Sequence, residues 1–131
     1  MIAQCANQYR QTQIMTSSRV QIVVLLYEAA IQSIELARQA IETNTIADKG
    51  RFLGRAISII GELDCALDYE RGGEIARLLH QVYDYAVAQL VEANVRNDGR
   101  KLEGVLRCLH VLREAWREVA AGQQTALAMV R

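Results

Sequence analysis

Residues 52–67 have the sequence FLGRAISIIGELDCAL, in which apolar side chains return at helical spacing. A period of three and four positions places side chains on one face of a helix. Here they form two adjacent stripes, which are Phe52, Ala56, Ile59, Leu63 and Ala66, and Leu53, Ile57, Ile60 and Leu67. A bundle helix needs an apolar face of roughly 100°. The stretch therefore predicts a helix, running from about Asp48 to Asp68, with more apolar surface than two neighbouring helices cover.

The same helical period continues on both sides of this stretch. Ser18 and Gln21 have the spacing of a capping box, which marks a helix start. One helical face follows them, formed by Val23, Tyr27, Ala30, Ile34, Ala37 and Ile41. Further faces of this period predict helices over about 74–96 and about 102–119. Proline, which breaks helices, is absent from the chain.

Turn-forming residues separate these helices. They predict a turn at Asn44 with Thr45 as the next cap, a reversal at the paired glycines 72 and 73, a turn over 97–99 capped by Asp98, and a terminating Gly122. Four helices joined by short turns predict an all-α fold, an antiparallel up-down-up-down four-helix bundle over residues 16–121. Residues 1–15 form an N-terminal segment expected to pack across the bundle, and residues 122–131 form a tail.

Composition excludes several classes of function. The 131 residues include 15 basic and 15 acidic side chains and carry no net charge, which argues against a nucleic-acid partner. The sequence has no run of about 18 uncharged apolar residues, which a membrane-spanning helix would need, and no signal peptide is apparent. A cytoplasmic protein is therefore expected. The three cysteines, Cys5, Cys65 and Cys108, are odd in number and far apart, which favours thiols over a disulfide framework.

No motif predicts catalysis, a cofactor or a metal. A di-metal bundle needs Glu-x-x-His pairs, but neither His80 nor His110 has Glu three positions before it. Nucleotide-binding glycine motifs and nucleophile motifs are also lacking. We therefore expect a protein that is not an enzyme.

The surplus apolar surface has two interpretations. Either these positions are simply buried, for example under the N-terminal segment, or they line a groove that receives an amphipathic helix of another protein. The groove hypothesis names Ile57, Ile60, Leu67, Val87 and Val91, together with part of the first helix.

Three further stretches carry a resemblance to a known family. The first is Tyr9-x-x-Thr12-Gln13-Ile14-Met15, followed by Leu25-Leu26-Tyr27-Glu28. The others are Gly72-Gly73-Glu74-Ile75-Ala76 with Tyr83-Asp84-Tyr85, and Leu112-Arg113-Glu114-Ala115-Trp116. In order and spacing the chain resembles the FliS family of flagellar secretion chaperones. Arg19 departs from the pattern, since the family usually has proline there.

The resemblance implies a cytoplasmic export chaperone for flagellin. Such a protein holds the disordered C-terminal segment of flagellin, prevents premature polymerisation and helps deliver it to the export gate, without a cofactor. It also implies that the N-terminal segment, with Tyr9, Ile14 and Met15, covers the groove in the empty protein. Thr12, Gln13, Tyr83 and Tyr85 are expected to contribute to binding, although each tyrosine could equally be a packing residue.

Other binding functions fit the same pattern. The surplus face could be buried in a dimer of the chain with itself, or the protein could be an adaptor for a different amphipathic helix. A monomer is expected over a dimer, because a persistent monomer leaves the groove free.

Overall fold

The computed structural model describes residues 19–122, which form four helices. They are α1 (Arg19–Glu42), α2 (Ile46–Cys65), α3 (Tyr69–Arg96) and α4 (Lys101–Gly122). α1 packs against α2 and α4, and α3 also packs against α2 and α4, so α1 and α3 lie on a diagonal. The predicted all-α four-helix bundle is confirmed. The expected capping box at Ser18 and the N-terminal segment lie outside the described residues.

Side-chain bonds fix the direction of neighbouring helices. His80, early in α3, bonds Asp64, near the end of α2. Lys49, at the start of α2, donates to Asn94 and Asn97 at the end of α3. Bonds between the start of one helix and the end of the next require that α2 and α3 run antiparallel.

The core lies between all four helices. Its most enclosed large side chains include Tyr27 and Ile34 of α1, Leu53, Ile60 and Leu63 of α2, Leu90 of α3, and Leu102 and Leu109 of α4. Burying one such aliphatic side chain contributes about 1.5–3 kcal/mol. The face predicted for the first helix is therefore a core face, with Tyr27, Ala30, Ile34 and Ala37 fully enclosed.

By length and composition alone, α1 is long and apolar enough to cross a membrane. No such segment was predicted from the sequence. The core helix of a bundle passes the same test, and 44% of the tested window is buried inside the bundle. Packing against α2 and α4 thus accounts for the buried part of the apolar surface of α1.

The reversal between α2 and α3 lies earlier than predicted. α2 ends at Cys65, and Asp68 caps α3 by accepting hydrogen bonds from the backbone amides of Glu70 and Arg71. Gly73 does adopt a positive φ of 51°, but it kinks α3 instead of ending a helix. Asp68 starts the helix because its carboxylate satisfies amides that lack helical partners.

Two other helix ends differ from expectation. Thr45 occupies the cap position of α2, but its side chain makes no capping bond, because its hydroxyl bonds the hydroxyl of Thr43 at 2.9 Å. Gly122 was expected to follow the end of the last helix. In the structure it is itself helical and is the last described residue of α4. At the α3–α4 turn, Asp98 accepts from the amide of Arg100, in agreement with the predicted cap.

The cysteines do not all behave as predicted. Cys108 in α4 is a free thiol, whereas Cys65 is disulfide-bonded. The expectation that the three cysteines are thiols is therefore wrong for Cys65.

Candidate functional site

A shallow apolar groove runs between α2 and α3. The bond from His80 to Asp64 sets the register of the two antiparallel helices. Val87 lies seven residues after His80, and Ile57 lies seven residues before Asp64. In antiparallel helices these two residues therefore lie opposite each other. Both side chains are half-buried against the core, and Val91, one turn further along α3, is 47% exposed. We call the surface formed by Gly54, Ile57, Gly61, Val87 and Val91 the α2–α3 groove.

Glycines keep the α2 side of this groove low. Gly50, Gly54 and Gly61 share a helical face with Ile57, at spacings of four, three and four positions. A Cβ atom placed on any of the three glycines would meet nothing within 4 Å. The α2 backbone is therefore bare here, and a partner backbone could approach it closely.

An imidazole between two carboxylates closes one end of the groove. His80 Nδ1 lies 2.7 Å from Asp64 Oδ1, and His80 Nε2 lies 3.3 Å from Asp84 Oδ2. The hydrogen bond to Asp64 raises the pKa of His80, with help from the charges of Asp64 and Asp84 and against partial desolvation. His80 thus joins α2 to α3 most strongly when it is protonated.

A lysine lies at the opposite end of the groove. Lys49 is only 8% exposed, and its ammonium donates to the carbonyl of Asn94 at 3.2 Å and to Asn97 Oδ1 at 3.1 Å. Asn97 adopts a left-handed backbone that ends α3. Sequence reasoning missed Lys49, because a lone lysine in a polar helix start usually faces water and its partners are 45 or more positions away.

The predicted site residues divide into three groups. Ile57, Val87 and Val91 lie at the surface of the α2–α3 groove. Ile60, Leu67 and Tyr83 lie beneath it in the core and offer no free surface in this conformation. The remaining five, Tyr9, Thr12, Gln13, Ile14 and Met15, lie outside the described residues.

The part of the first helix assigned to the groove lies elsewhere. α1 is diagonal to α3 and does not border the α2–α3 groove. Val20 and Val23 are buried in the core, whereas Leu25 is exposed on the outer face of α1. The nearly all-round apolar start of α1 is divided between the core and solvent.

Tyr83 has its own bond inside the core. Its hydroxyl lies 2.5 Å from that of Tyr27, and either group can donate. Burial raises the pKa of Tyr27 to about 12, against the hydrogen bonds from Tyr83 and Trp116. Burial also raises the pKa of Tyr83 well above its ordinary value, and the proximity of Tyr27 adds to this. Both phenols are therefore neutral, and Tyr83 is a packing residue in this structure.

A second apolar row, on the α4 side of α3, was not predicted as a surface. Ile75, Leu78 and Tyr85 are exposed by 54%, 51% and 45%. The hydroxyl of Tyr85 lies over Gly104 of α4, where a Cβ atom would come within 2.9 Å of it. The core positions of α3 are taken by Leu79, Tyr83, Ala86 and Leu90, which leaves Ile75 outside. The helical spacing of this row was visible, whereas its exposure was not.

The groove offers apolar contact surface between charged ends. Within residues 19–122, no group of three or more His, Cys, Asp or Glu side chains could hold a metal ion. Apolar surface with charged ends is suited to binding an amphipathic helix.

The sequence comparisons with known proteins agree on one family. The family model described as flagellar protein FliS matches residues 1–123. The flagellar secretion chaperone FliS of Salmonella typhimurium is 36% identical over 111 residues, which cover 84% of this chain and 82% of that protein. The flagellar secretion chaperone FliSB of Pseudomonas aeruginosa is 39% identical over 114 residues, covering 84% and 90% of the two chains.

A solved structure supports the fold alone. It is described as a crystal structure of a flagellar chaperone from bacteria, and it superposes with a TM-score of 0.76 at 20% sequence identity. The match covers 93% of this chain and 99% of that one, so the four-helix architecture is shared.

Proposed function

This chain belongs to the FliS family of flagellar secretion chaperones, and we propose that it binds the disordered C-terminal segment of flagellin in the α2–α3 groove. Binding would prevent flagellin from polymerising in the cytoplasm and help deliver it to the export gate of the flagellar type III apparatus. The observation that carries the proposal is the apolar surface of half-buried Ile57 and Val87 and exposed Val91 beside bare glycine backbone.

The energetics favour an interface larger than this groove. Ordering a disordered segment costs about 2–5 kcal/mol. At about 25 cal/mol per Å², burial of on the order of 100–200 Å² of apolar surface offsets that cost. Association entropy costs several kcal/mol more. The second row of Ile75, Leu78 and Tyr85, on the other flank of α3, supplies further apolar surface for a client that wraps around the helix.

Residues 1–15 have a proposed role as a cover for the groove. A segment that occupies the groove part of the time lowers the apparent affinity for the client by the fraction of time that the groove is closed. Removal of residues 1–14 is expected to raise the affinity for flagellin, as measured by calorimetry. An unchanged dissociation constant would reject the cover. This proposal also assigns Tyr9, Thr12, Gln13, Ile14 and Met15 to binding or to its control.

The proposed function is tested by mixing the protein with a peptide from the C-terminal region of flagellin. We expect helical circular dichroism in excess of the sum of the two components, because the client folds as it docks. A peptide of the same composition in scrambled order is the control. Equal signals from the two peptides, or no heat of binding to either, would contradict the proposal.

A second candidate function rests on the exposed row of Ile75, Leu78 and Tyr85, which would also suit a second copy of this chain. Light scattering across a range of concentrations separates the two functions. A persistent monomer favours the client, whereas a concentration-dependent dimer favours self-association. Binding of other amphipathic helices with equal affinity would favour an adaptor with a different client.

A further inference from the structure

The two ends of the α2–α3 groove carry opposite charge. The end formed by residues 62–84 holds six carboxylates against two arginines: Glu62, Asp64, Asp68, Glu70, Glu74 and Asp84, with Arg71 and Arg77. The end formed by residues 48–51 and 92–101 holds five cations against three carboxylates: Lys49, Arg51, Arg96, Arg100 and Lys101, with Asp48, Glu92 and Asp98. The groove therefore lies along an axis from negative to positive.

Internal pairing does not remove this asymmetry. At the acidic end, His80 lies between Asp64 and Asp84, so that even a protonated imidazole leaves one carboxylate charge uncompensated. At the basic end, Arg51, Arg96 and Arg100 pair with Asp48, Glu92 and Asp98, which leaves Lys49 and Lys101 as the surplus cations. The bonds of Lys49 go to neutral oxygens of Asn94 and Asn97. A nearly buried ammonium without a contacting carboxylate among the described residues is screened less than a surface charge.

The length of the groove lets each end act separately. Fourteen steps along α2 separate Gly50 from Asp64, which is about 21 Å at 1.5 Å per residue. This is roughly twice the screening length of 8–10 Å at ordinary ionic strength. Each terminus of a bound helix therefore senses mainly the end of the groove beneath it. α2 and α3 run antiparallel, so their own dipoles oppose each other and the side chains decide the field.

We propose that the α2–α3 groove orients its client, taking an amphipathic helix of flagellin with its N-terminus over Asp64 and Asp84 and its C-terminus toward Lys49. A helix carries about half a positive charge at its N-terminus and half a negative charge at its C-terminus. This direction, parallel to α3, places both partial charges against their complements. The inference rests on the proposed function, since the client is the flagellin segment named there.

The direction is measured with spin labels. A flagellin C-terminal peptide carries a nitroxide at either its N-terminal or its C-terminal end, and amide signals of the full-length ¹⁵N-labelled protein are recorded. The N-terminal label is expected to broaden Gly61 and His80, and the C-terminal label to broaden Gly50 and Val95. Reversed broadening, equal broadening at both ends, or broadening elsewhere on the bundle overturns the inference. Absence of binding overturns the proposed function with it, whereas reversed binding overturns the orientation alone.

A charge variant gives a second readout. The Asp84 side chain is 71% exposed, so Asp84→Asn removes a charge from the acidic end with little change in packing. We expect a roughly two- to fivefold loss of affinity at low salt, which added salt removes. Glu118→Gln, on the exposed face of α4, is the matched control and should leave affinity unchanged. Equal effects of the two variants would contradict a directed groove.

Discussion

The hydroxyls of Tyr27 and Tyr83 lie 2.5 Å apart inside the bundle, although 56 positions separate them in the sequence. Tyr27 belongs to α1 and Tyr83 to α3, so this bond crosses the diagonal of the bundle. It is a buried polar link between two helices that are not neighbours in the bundle. It therefore connects the stability of the core to the position of α3.

Removal of either hydroxyl should destabilise the protein. Tyr83→Phe leaves the Tyr27 hydroxyl buried with one partner fewer, and we expect a loss of about 1–3 kcal/mol in the free energy of unfolding. Tyr27→Phe should cost a similar amount, because it leaves the buried Tyr83 hydroxyl without its partner. Urea denaturation of both single variants and the double variant measures the coupling. Strictly additive losses would show that the two hydroxyls do not interact.

Substitution of Gly73 should strain the backbone. Gly73 has φ of 51° and ψ of −123°, which side chains with a Cβ atom rarely adopt. We expect Gly73→Ala to lower the free energy of unfolding by about 1–3 kcal/mol, although nothing lies within 4 Å of the added methyl. Gly54→Ala is the control, since an alanine in an open helical position should stabilise by about 0.5–1 kcal/mol. Equal effects of the two would contradict the kink.

The stability of the bundle should depend on pH through His80. The pKa of His80 is raised in the folded protein above its ordinary value of 6.5. Its bonds to Asp64 and Asp84 therefore contribute fully below about pH 6.5, and this contribution is lost as pH rises through the folded-state pKa. Urea denaturation across this range measures the slope. His80→Gln should flatten it and His110→Gln should not, and a slope unaffected by His80→Gln would refute the assignment.

Binding and folding should separate at Val91. Val91 is 47% exposed, so Val91→Asp should change the free energy of unfolding by about 0.5 kcal/mol or less. The same change should weaken binding of a flagellin C-terminal peptide by about 1–2 kcal/mol, or roughly 5- to 30-fold. Calorimetry measures both the free energy of unfolding and the affinity for the peptide. The control is Val111→Asp, at an exposed valine of α4 away from the groove. A comparable loss in both variants would argue against a groove between α2 and α3.

Ile60 should behave in the opposite way. It is fully enclosed beneath the groove, so Ile60→Ala removes core packing and should cost about 2–5 kcal/mol of stability. At temperatures where the variant is folded, its affinity for the peptide should stay within about twofold of the parent, since Ile60 offers no free surface. Thermal denaturation followed by calorimetry tests both parts, and a large affinity loss in the folded variant would place Ile60 at the interface.

Periodicity was sufficient to predict the bundle, because the core faces of α1 and α2 follow from the spacing of residues such as Tyr27, Ile34 and Ile60. It could not locate the α2–α3 reversal. Paired glycines indicate positive φ, and Gly73 has it, but the capping bonds of Asp68 decide where α3 begins. Glycines mark permissive backbone, whereas the satisfaction of orphan amides starts a helix.

Prediction of the site was less complete for a related reason. The doubled stripe of α2 predicted surplus apolar surface, but six of its nine residues are buried in the bundle and three are half-buried. The pattern could not separate Ile57, half-buried at the surface, from Ile60, in the core. That distinction depends on which neighbour packs on each side, as does the exposure of Ile75 and Leu78. Lys49 was missed since its partners, Asn94 and Asn97, become neighbours only when α2 and α3 pair.

The bare backbone at Gly50, Gly54 and Gly61 has a consequence for the evolution of the partner. Where the groove presents backbone alone, beside Ile57, Val87 and Val91, its contact with a partner depends mainly on the width and hydrophobicity of the segment that lies there. The sequence of a bound client segment can therefore change, with one aliphatic residue replaced by another, without a matching change in this chain. Flagellins of different sequence could then bind one such chaperone, provided that each keeps a narrow helix with an apolar face.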